Sequence, residues 1–211
     1  MADRTVLLFT GGDPVDPSVA LRLPADAFVI AADSGLAQAV ALGRHVDLAV
    51  GDFDSVDPVA LSTAEAAGTV IERHPTAKDE TDLELGLVAA AAHGASSVIV
   101  VGGHGGRVDH FIAGALLLAS NRFESMRITA HIGAAVVHVV RDEVVLAGEV
   151  GSIVSLLPVG GPALGVWTDG LEYKLAGETL RAGTTRGVSN VFVAPTAIVT
   201  VEDGVLLAVQ P

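Results

Sequence analysis

The sequence predicts an α/β N-terminal domain with a Rossmann-like parallel sheet, followed by a C-terminal all-β sandwich. Three observations lead there. Up to about residue 135, short apolar runs alternate with helix-like segments, the pattern of strands joined by helical crossovers. Those runs are apolar at nearly every position, as strands are when helices cover both faces of a parallel sheet. From about Val136 the runs are broken by Gly, Pro or Asp and contain no helical stretch, which is sandwich or barrel spacing. The predicted domains are therefore 1–135 and 136–211.

In the first domain, "TVLLFT" (5–10) is a predicted strand and "AFVIAA" (27–32) a second, followed by the helical "GLAQAVALG". "DLAVG" (47–51) is a third, followed by "DPVALSTAEAAG", with Asp57 as N-cap and Pro58 at the first helical position. "GTVIERH" (68–74) is a fourth, and "DETDLELGLVAAAAHG" a strong helix ending at Gly94. "SSVIVVGG" (96–103) is a fifth, "HFIAGALLLASN" a buried helix, and "MRITAHIG" (126–133) a sixth strand. In the second domain, "AVVHVV", "EVVLAG", "SIVSLLPV", "GVWTDG", "LEYKLAG", "VFVAP", "AIVTVED" and "VLLAVQ" are predicted strands.

The 211 residues are half apolar, enough for a real core and too apolar for a disordered chain. The formal charge is −13, and dense Lys/Arg clusters are missing, so nucleic acid is not an expected partner. Only two lysines occur, Lys78 and Lys174. No apolar run reaches the ~18 residues of a membrane span, and the apolar stretch near the N-terminus is too short for a secretory signal. Without cysteine there are no disulfides, thiolate metal sites or Cys nucleophiles, and a cytoplasmic location is expected.

In an open parallel sheet, ligands bind outside the carboxyl ends of the strands. The polar motifs of this chain sit there. "ADSG" after the second strand carries Asp33, which either caps the next helix or faces a ligand. "GDFDS" carries Asp52 and Asp54. If the backbone stays extended, these point the same way and Phe53 turns back to the core. Two converging carboxylates repel unless a proton or cation lies between them, and Mg²⁺ is the natural occupant. "KDETD" carries Lys78, Asp79 and Asp82; the two aspartates either cap a helix or share one of its faces. "GGHGGRVDH" carries Arg107 and Asp109. Its glycines let backbone N–H groups approach phosphate, and Arg107 supplies a forked donor. "FTGGDP" (9–14) is a second Gly-containing loop. Together these motifs describe a Mg²⁺–nucleotide phosphate site that works by positioning and electrostatics.

"ADSG", "GDFDS", "KDETD" and "GGRVDH", in this order, resemble the thiamine pyrophosphokinase (thiamine diphosphokinase) family. "LLPVGGPALGVWTDGLEYKL", "TTRGVSN" and "IVTVEDGVLL" extend the resemblance over most of the chain. It implies transfer of the pyrophosphoryl group of ATP to the hydroxyl of thiamine, giving thiamine diphosphate and AMP. It also implies a homodimer with thiamine at the subunit interface. Carried over, Asp33, Asp52, Asp54, Asp79 and Asp82 form the acidic metal–phosphate site, with Asp52, Asp54 and Asp82 on Mg²⁺. Lys78 and Arg107 face phosphates, and Asp109 closes the same motif. Ser189 and Asn190 hold thiamine, with Tyr173 nearby. Some members of the family carry Gln where this chain has Lys78 and Trp where it has Tyr173. The competing expectations are a diphosphokinase for another alcohol, such as a hydroxymethylpterin, and a non-catalytic nucleotide sensor on the same scaffold.

Overall fold

The structure, a computed structural model, describes residues 4–211. It divides into two compact units. One takes the chain up to Leu117 together with Ser125–Ala134, and the other takes Leu118–Glu124 with Ala135–Pro211.

The first unit holds strands β1 (Thr5–Phe9), β2 (Phe28–Ala32), β3 (Leu48–Gly51), β4 (Val70–Arg73), β5 (Ser97–Val101) and β6 (Arg127–Ile132). They pair in parallel in the order β6-β5-β1-β2-β3-β4. The crossovers include α1 (Gly35–Ala41), α2 (Pro58–Ala66), α3 (Asp82–Ala92) and α4 (Val108–Leu118). Val6, Leu7, Leu8 and Phe9 of β1 are all fully buried, so both faces of the central strand are covered. β4 is the exception to the apolar pattern. It ends the sheet, and Val70, Glu72 and Arg73 are exposed.

Local chemistry fixes the helix starts. Pro58 opens α2 behind Asp57, whose carboxylate accepts from Val59 N at 3.0 Å, the cap expected from sequence. The chain runs outward from β1 to β4 and returns to β5 on the other side of β1. The sheet's direction therefore reverses between β1 and β5, and the carboxyl ends there are the place where open α/β sheets bind ligands.

In this unit one element differs from expectation. The helix read as buried, α4, leaves Val108, Phe111, Ile112 and Leu116 exposed, and only Leu118 is buried. Its sequence is apolar around most of its circumference, and hydropathy alone does not say what such a surface packs against.

The second unit holds β7 (Ala135–Val140), β8 (Glu143–Ala147), β9 (Ile153–Pro158), β10 (Ala163–Asp169), β11 (Ala176–Leu180), β12 (Asn190–Val191), β13 (Thr196–Thr200) and β14 (Leu206–Gln210). β12-β9-β14-β7 and β11-β10-β13-β8 are two antiparallel arrays. Leu146, Leu156, Val166, Phe192, Val199 and Leu206, from both arrays, share one core. Alternation is clean in β13, where Ala197 and Val199 point inward. "LEYKLAG" is not a strand, and "VFVAP" is strand only at Val191, where β12 ends. Leu171 makes a single bridge to Phe192, and a strand resumes only at Ala176. The backbone between is taken up by side chains, Asn190 binding Tyr173 and Thr168 Oγ1 accepting from Leu175 N at 2.9 Å.

Candidate active site

β2 runs out at Ala32, and Asp33 follows in the left-handed region at φ 46°. Its N–H donates to Val50 O at 2.8 Å, which ties it to the end of β3. Gly51 makes that approach possible. At φ 150°, a Cβ on it would stand 3.2 Å from both Cα and Cβ of Asp33. Asp33 is 7% exposed. Its Oδ2 accepts from Ser55 Oγ, and its Oδ1 is buried without a hydrogen-bond partner. The capping alternative is not realised, because the N-cap of α1 is Ser34 and no side chain caps that helix.

Asp52 and Asp54 do converge with Phe53 turned inward, 7% exposed, beneath the guanidinium of Arg73 at 5.3 Å. The means differ from the extended backbone expected. β3 has already ended at Gly51, and Phe53 sits at φ 60°. The left-handed residue folds the loop back so that Asp54 N donates to Asp52 Oδ1 at 3.1 Å. That N–H, and then the Lys78 ammonium, hold the Asp52 carboxyl below the ordinary carboxylate range. The charge of Asp52 pushes the Asp54 carboxyl above it, with Asp33 and Asp82 adding to the effect. Carboxylate oxygens of Asp33, Asp52 and Asp54 all lie within 4.8 Å of one another.

Lys78 enters this cluster from the loop after β4. Its Nζ is 3.2 Å from Asp52 Oδ2 and 3.1 Å from Asp82 Oδ1, and its side chain is 11% exposed. Burial works against its charge, but bonds and charges from Asp82 and Asp52 outweigh burial and raise its pKa. Asp82 therefore joins the cluster through Lys78, while Asp33 completes the close trio. Asp79 and Asp82 do not share a helix face. Thr81 caps α3, its Oγ1 accepting from Glu84 N at 3.3 Å. The helix begins at Asp82, and Asp79 stays in the exposed loop before it.

The two glycine loops leave β1 and β5 at the switch point and bond to each other. Gly103 N donates to Gly11 O at 2.8 Å, and Asp13 N to His104 O at 2.7 Å. Gly12 has to be glycine, since a Cβ there would meet His104 O at 2.4 Å. One of the glycine N–H groups expected to approach phosphate, that of Gly103, is thus spent between the loops. Arg107 is exposed and pairs with Asp109, Nε to Oδ1 at 3.2 Å and Nη2 to Oδ2 at 2.5 Å. That fork holds the Asp109 carboxyl down at about 2.

In the second unit, Ser189 is left-handed at φ 56°, and its N–H donates to Ser155 Oγ at 3.1 Å. Asn190 is 2% exposed and its amide is engaged locally. Oδ1 accepts from Tyr173 N at 3.0 Å and Val191 N at 2.9 Å, and Nδ2 donates to Tyr173 O at 2.9 Å. Asn190 thus clamps the backbone of Tyr173, a residue 62% exposed. Among the described residues, Asp33, Phe53 and Ser189 are the non-glycine residues at positive φ. Such conformations cost about 1–3 kcal/mol each and persist where surrounding structure imposes them.

The sequence reading assigned no part to Ser55. A serine one residue beyond an acidic pair is an ordinary turn residue, and its partner Asp33 lies 22 positions away.

Carboxylates and glycine loops on the carboxyl edge of a parallel sheet are the working parts of an α/β enzyme that transfers phosphoryl groups. A family model described as "Thiamin pyrophosphokinase, catalytic domain" matches residues 21–130, and one described as "Thiamin pyrophosphokinase, vitamin B1 binding domain" matches 136–206. The chain belongs to the thiamin pyrophosphokinase family. It is an enzyme, a transferase with thiamine diphosphokinase activity that serves thiamine diphosphate biosynthesis. No curated protein matches it significantly in sequence. Among solved structures, thiamine pyrophosphokinase from Bacillus subtilis is similar with a TM-score of 0.85 at 22% identity, over 98% of each chain. A thiamin pyrophosphokinase family protein from Enterococcus faecalis gives 0.80 at 21%, over 99% of this chain and 98% of that one. Thiamin pyrophosphokinase from Candida albicans gives 0.79 at 15%, over 99% and 89%. At these identities the likeness is one of fold.

Proposed function

We propose that the α/β domain, residues 1–135, carries the phosphate chemistry around Asp33, Asp52 and Asp54, and that the β-sandwich domain, 136–211, supplies thiamine contacts. One observation carries this reading: three carboxylates lie within 4.8 Å of one another, one with a buried and unpartnered oxygen. Left alone, such a group is costly. A hard divalent cation with oxygen ligands fits the donor set, and Mg²⁺ is the cation expected beside nucleotide phosphates.

When bound, Mg²⁺ neutralises phosphate charge. The rest falls to the chain. Asp33, Asp52 and Asp54 hold the cation side of the site. Lys78 keeps Asp52 and Asp82 in place and adds positive charge facing the phosphates. Asp79, on the rim, stays solvated. Arg107 turns its fork from Asp109 to phosphate oxygens, a geometry suited to both. The thiamine hydroxyl oxygen bonds to the β-phosphorus of ATP while the bond from that phosphorus to the oxygen bridging the α-phosphorus breaks. AMP leaves with that oxygen, and the hydroxyl proton passes to a carboxylate of the cluster. In the sandwich, Ser189 and the Tyr173 ring held by Asn190 form the thiamine side. We place the protein in the cytoplasm as a homodimer. Among the described residues, no helix is long and apolar enough to cross a membrane.

The test is turnover of ATP and thiamine with AMP and thiamine diphosphate quantified, with and without chelator. Chelator should abolish turnover, and Asp54→Ala should abolish it with the fold intact by circular dichroism. Normal turnover by that variant with Mg²⁺ present overturns the cation assignment. Light scattering tests the dimer.

A further inference from the structure

We propose that Ser55 is a positioning residue, whose hydroxyl fixes the Asp33 carboxylate so that its other oxygen faces Asp52 and Asp54. This inference rests on the cation site of the proposed function. Asp33 is more than nine-tenths buried, and its two oxygens are treated differently. Oδ2 accepts from Ser55 Oγ, whereas Oδ1 is buried and bonds to nothing. An ionised carboxylate only accepts, so the Ser55 hydrogen is committed to Oδ2. A carboxylate on a short side chain still turns about its last bond. A donor on one oxygen sets that angle and so aims the other. The backbone is held from the opposite side, at φ 46° and by Asp33 N on Val50 O at 2.8 Å.

The same loop provides the two partner aspartates and the hydroxyl. Phe53, buried at φ 60°, turns the chain so that Asp52 and Asp54 face the cluster, and Ser55 follows directly. Ser55 thus locks the aspartate from β2 to the two after β3. Partners that orient a metal-bound carboxylate typically change metal affinity about 10–100-fold when removed. Ser55 itself is exposed, so removing its hydroxyl opens no core cavity.

Titration of the full chain with Mn²⁺, free Mn²⁺ being read by electron paramagnetic resonance, tests the idea. Ser55→Ala is expected to weaken Mn²⁺ binding about 10-fold or more. Ser55→Thr, which keeps the hydroxyl, should restore most of it. The cation-free Ser55→Ala protein should stay folded but melt somewhat below wild type, since a buried carboxylate loses its hydrogen bond, and Ser55→Thr should melt as wild type. In an Asp33→Asn background, Ser55→Ala should have no further effect on Mn²⁺ affinity, since the two act as one unit. In turnover, the KM for Mg²⁺ should rise by the same factor while the KM for thiamine stays. Unchanged Mn²⁺ affinity in Ser55→Ala overturns the proposal, as does equal weakening in both Asp33 backgrounds. Wild type that fails to bind Mn²⁺ at all overturns the cation site itself, a different result from wild type and Ser55→Ala binding equally.

Discussion

Asp33 and Asn190 are both buried polar side chains associated with left-handed, non-glycine backbone, and they are completed in opposite ways. Every amide contact of Asn190 goes to backbone: Tyr173 N, Tyr173 O and Val191 N. Asp33 keeps one oxygen unpartnered. In the sandwich the Asn190 amide holds a stretch of backbone, and Tyr173, the residue it holds, stays exposed. In the acidic cluster the held group is itself the one we propose to meet the cation. The contrast matches the two jobs proposed above. Cation and phosphate chemistry needs fixed charges at short range, whereas an organic cation can be gripped by an aromatic surface of looser geometry.

The largest expected effect breaks the acidic side. Asp54→Asn should lower kcat/KM by about 100-fold or more, comparable to the loss of an electrostatic partner at a transition state. The same variant should melt at a higher temperature than wild type when both are cation-free at pH 7. Asp52 raises the pKa of Asp54 in the folded protein. Between the ordinary and the raised value, the folded state holds the proton more tightly than the unfolded state. Asp54 therefore favours the fold below its ordinary pKa, and that contribution is lost as pH rises through the raised one. The asparagine removes the cost, so the gain should vanish when melting is repeated below both values. Equal melting temperatures at pH 7 would mean that repulsion in this loop is already relieved without a cation.

Asn190→Ala comes next and acts on the scaffold. It leaves two N–H groups and a carbonyl without their side-chain partner. Water reaches the exposed Tyr173 segment, so the expected cost is about 2 kcal/mol, read from urea unfolding. Tyr173→Ala should do the reverse. Stability should stay within about 0.5 kcal/mol, since the residue is exposed. The KM for thiamine should rise several-fold with kcat nearly kept. If Asn190→Ala raised that KM while leaving stability intact, the amide would be a direct ligand and the clamp reading would fall.

The parts of this molecule that were legible from sequence are those decided by neighbours in the chain. Asp57 and Pro58 announce a helix start and form one. "TVLLFT" announces a buried central strand and forms one. Phe53 is the inward anchor because an apolar ring between two carboxylates has nowhere else to go. What stayed hidden depends on the sign of a dihedral or on a distant partner. Nothing in the letters of "GDFDS" marks Phe53 as left-handed, so the convergence of Asp52 and Asp54 was expected from strand alternation and comes from a kink. Asp79 lost its helical position to the Thr81 cap, which starts the helix at Asp82. "LEYKLAG" failed as a strand because Asn190, 17 residues after Tyr173, takes its backbone groups. Ser55 was invisible for the same reason, its partner being 22 residues away.

The smallest effect concerns the loop outside the cluster, where Arg107 and Asp109 satisfy each other in the open. Their pairing holds the Asp109 carboxyl at about 2. A depressed carboxylate contributes stability above its ordinary pKa of ~3.9 and loses it as pH falls toward the folded value. For an exposed pair this contribution is slight, so the readout is the carboxyl itself. By carbon NMR, Asp109 should remain largely ionised at pH 3 in wild type and be largely protonated in Arg107→Ala. Adding ATP without metal should move wild type toward the variant, because phosphate draws the guanidinium fork away from Asp109. If ATP leaves the Asp109 signal in place while binding elsewhere on the protein, Arg107 keeps its carboxylate and takes no part in holding phosphate. The positive side of the site then reduces to Lys78, already in place within the acidic cluster.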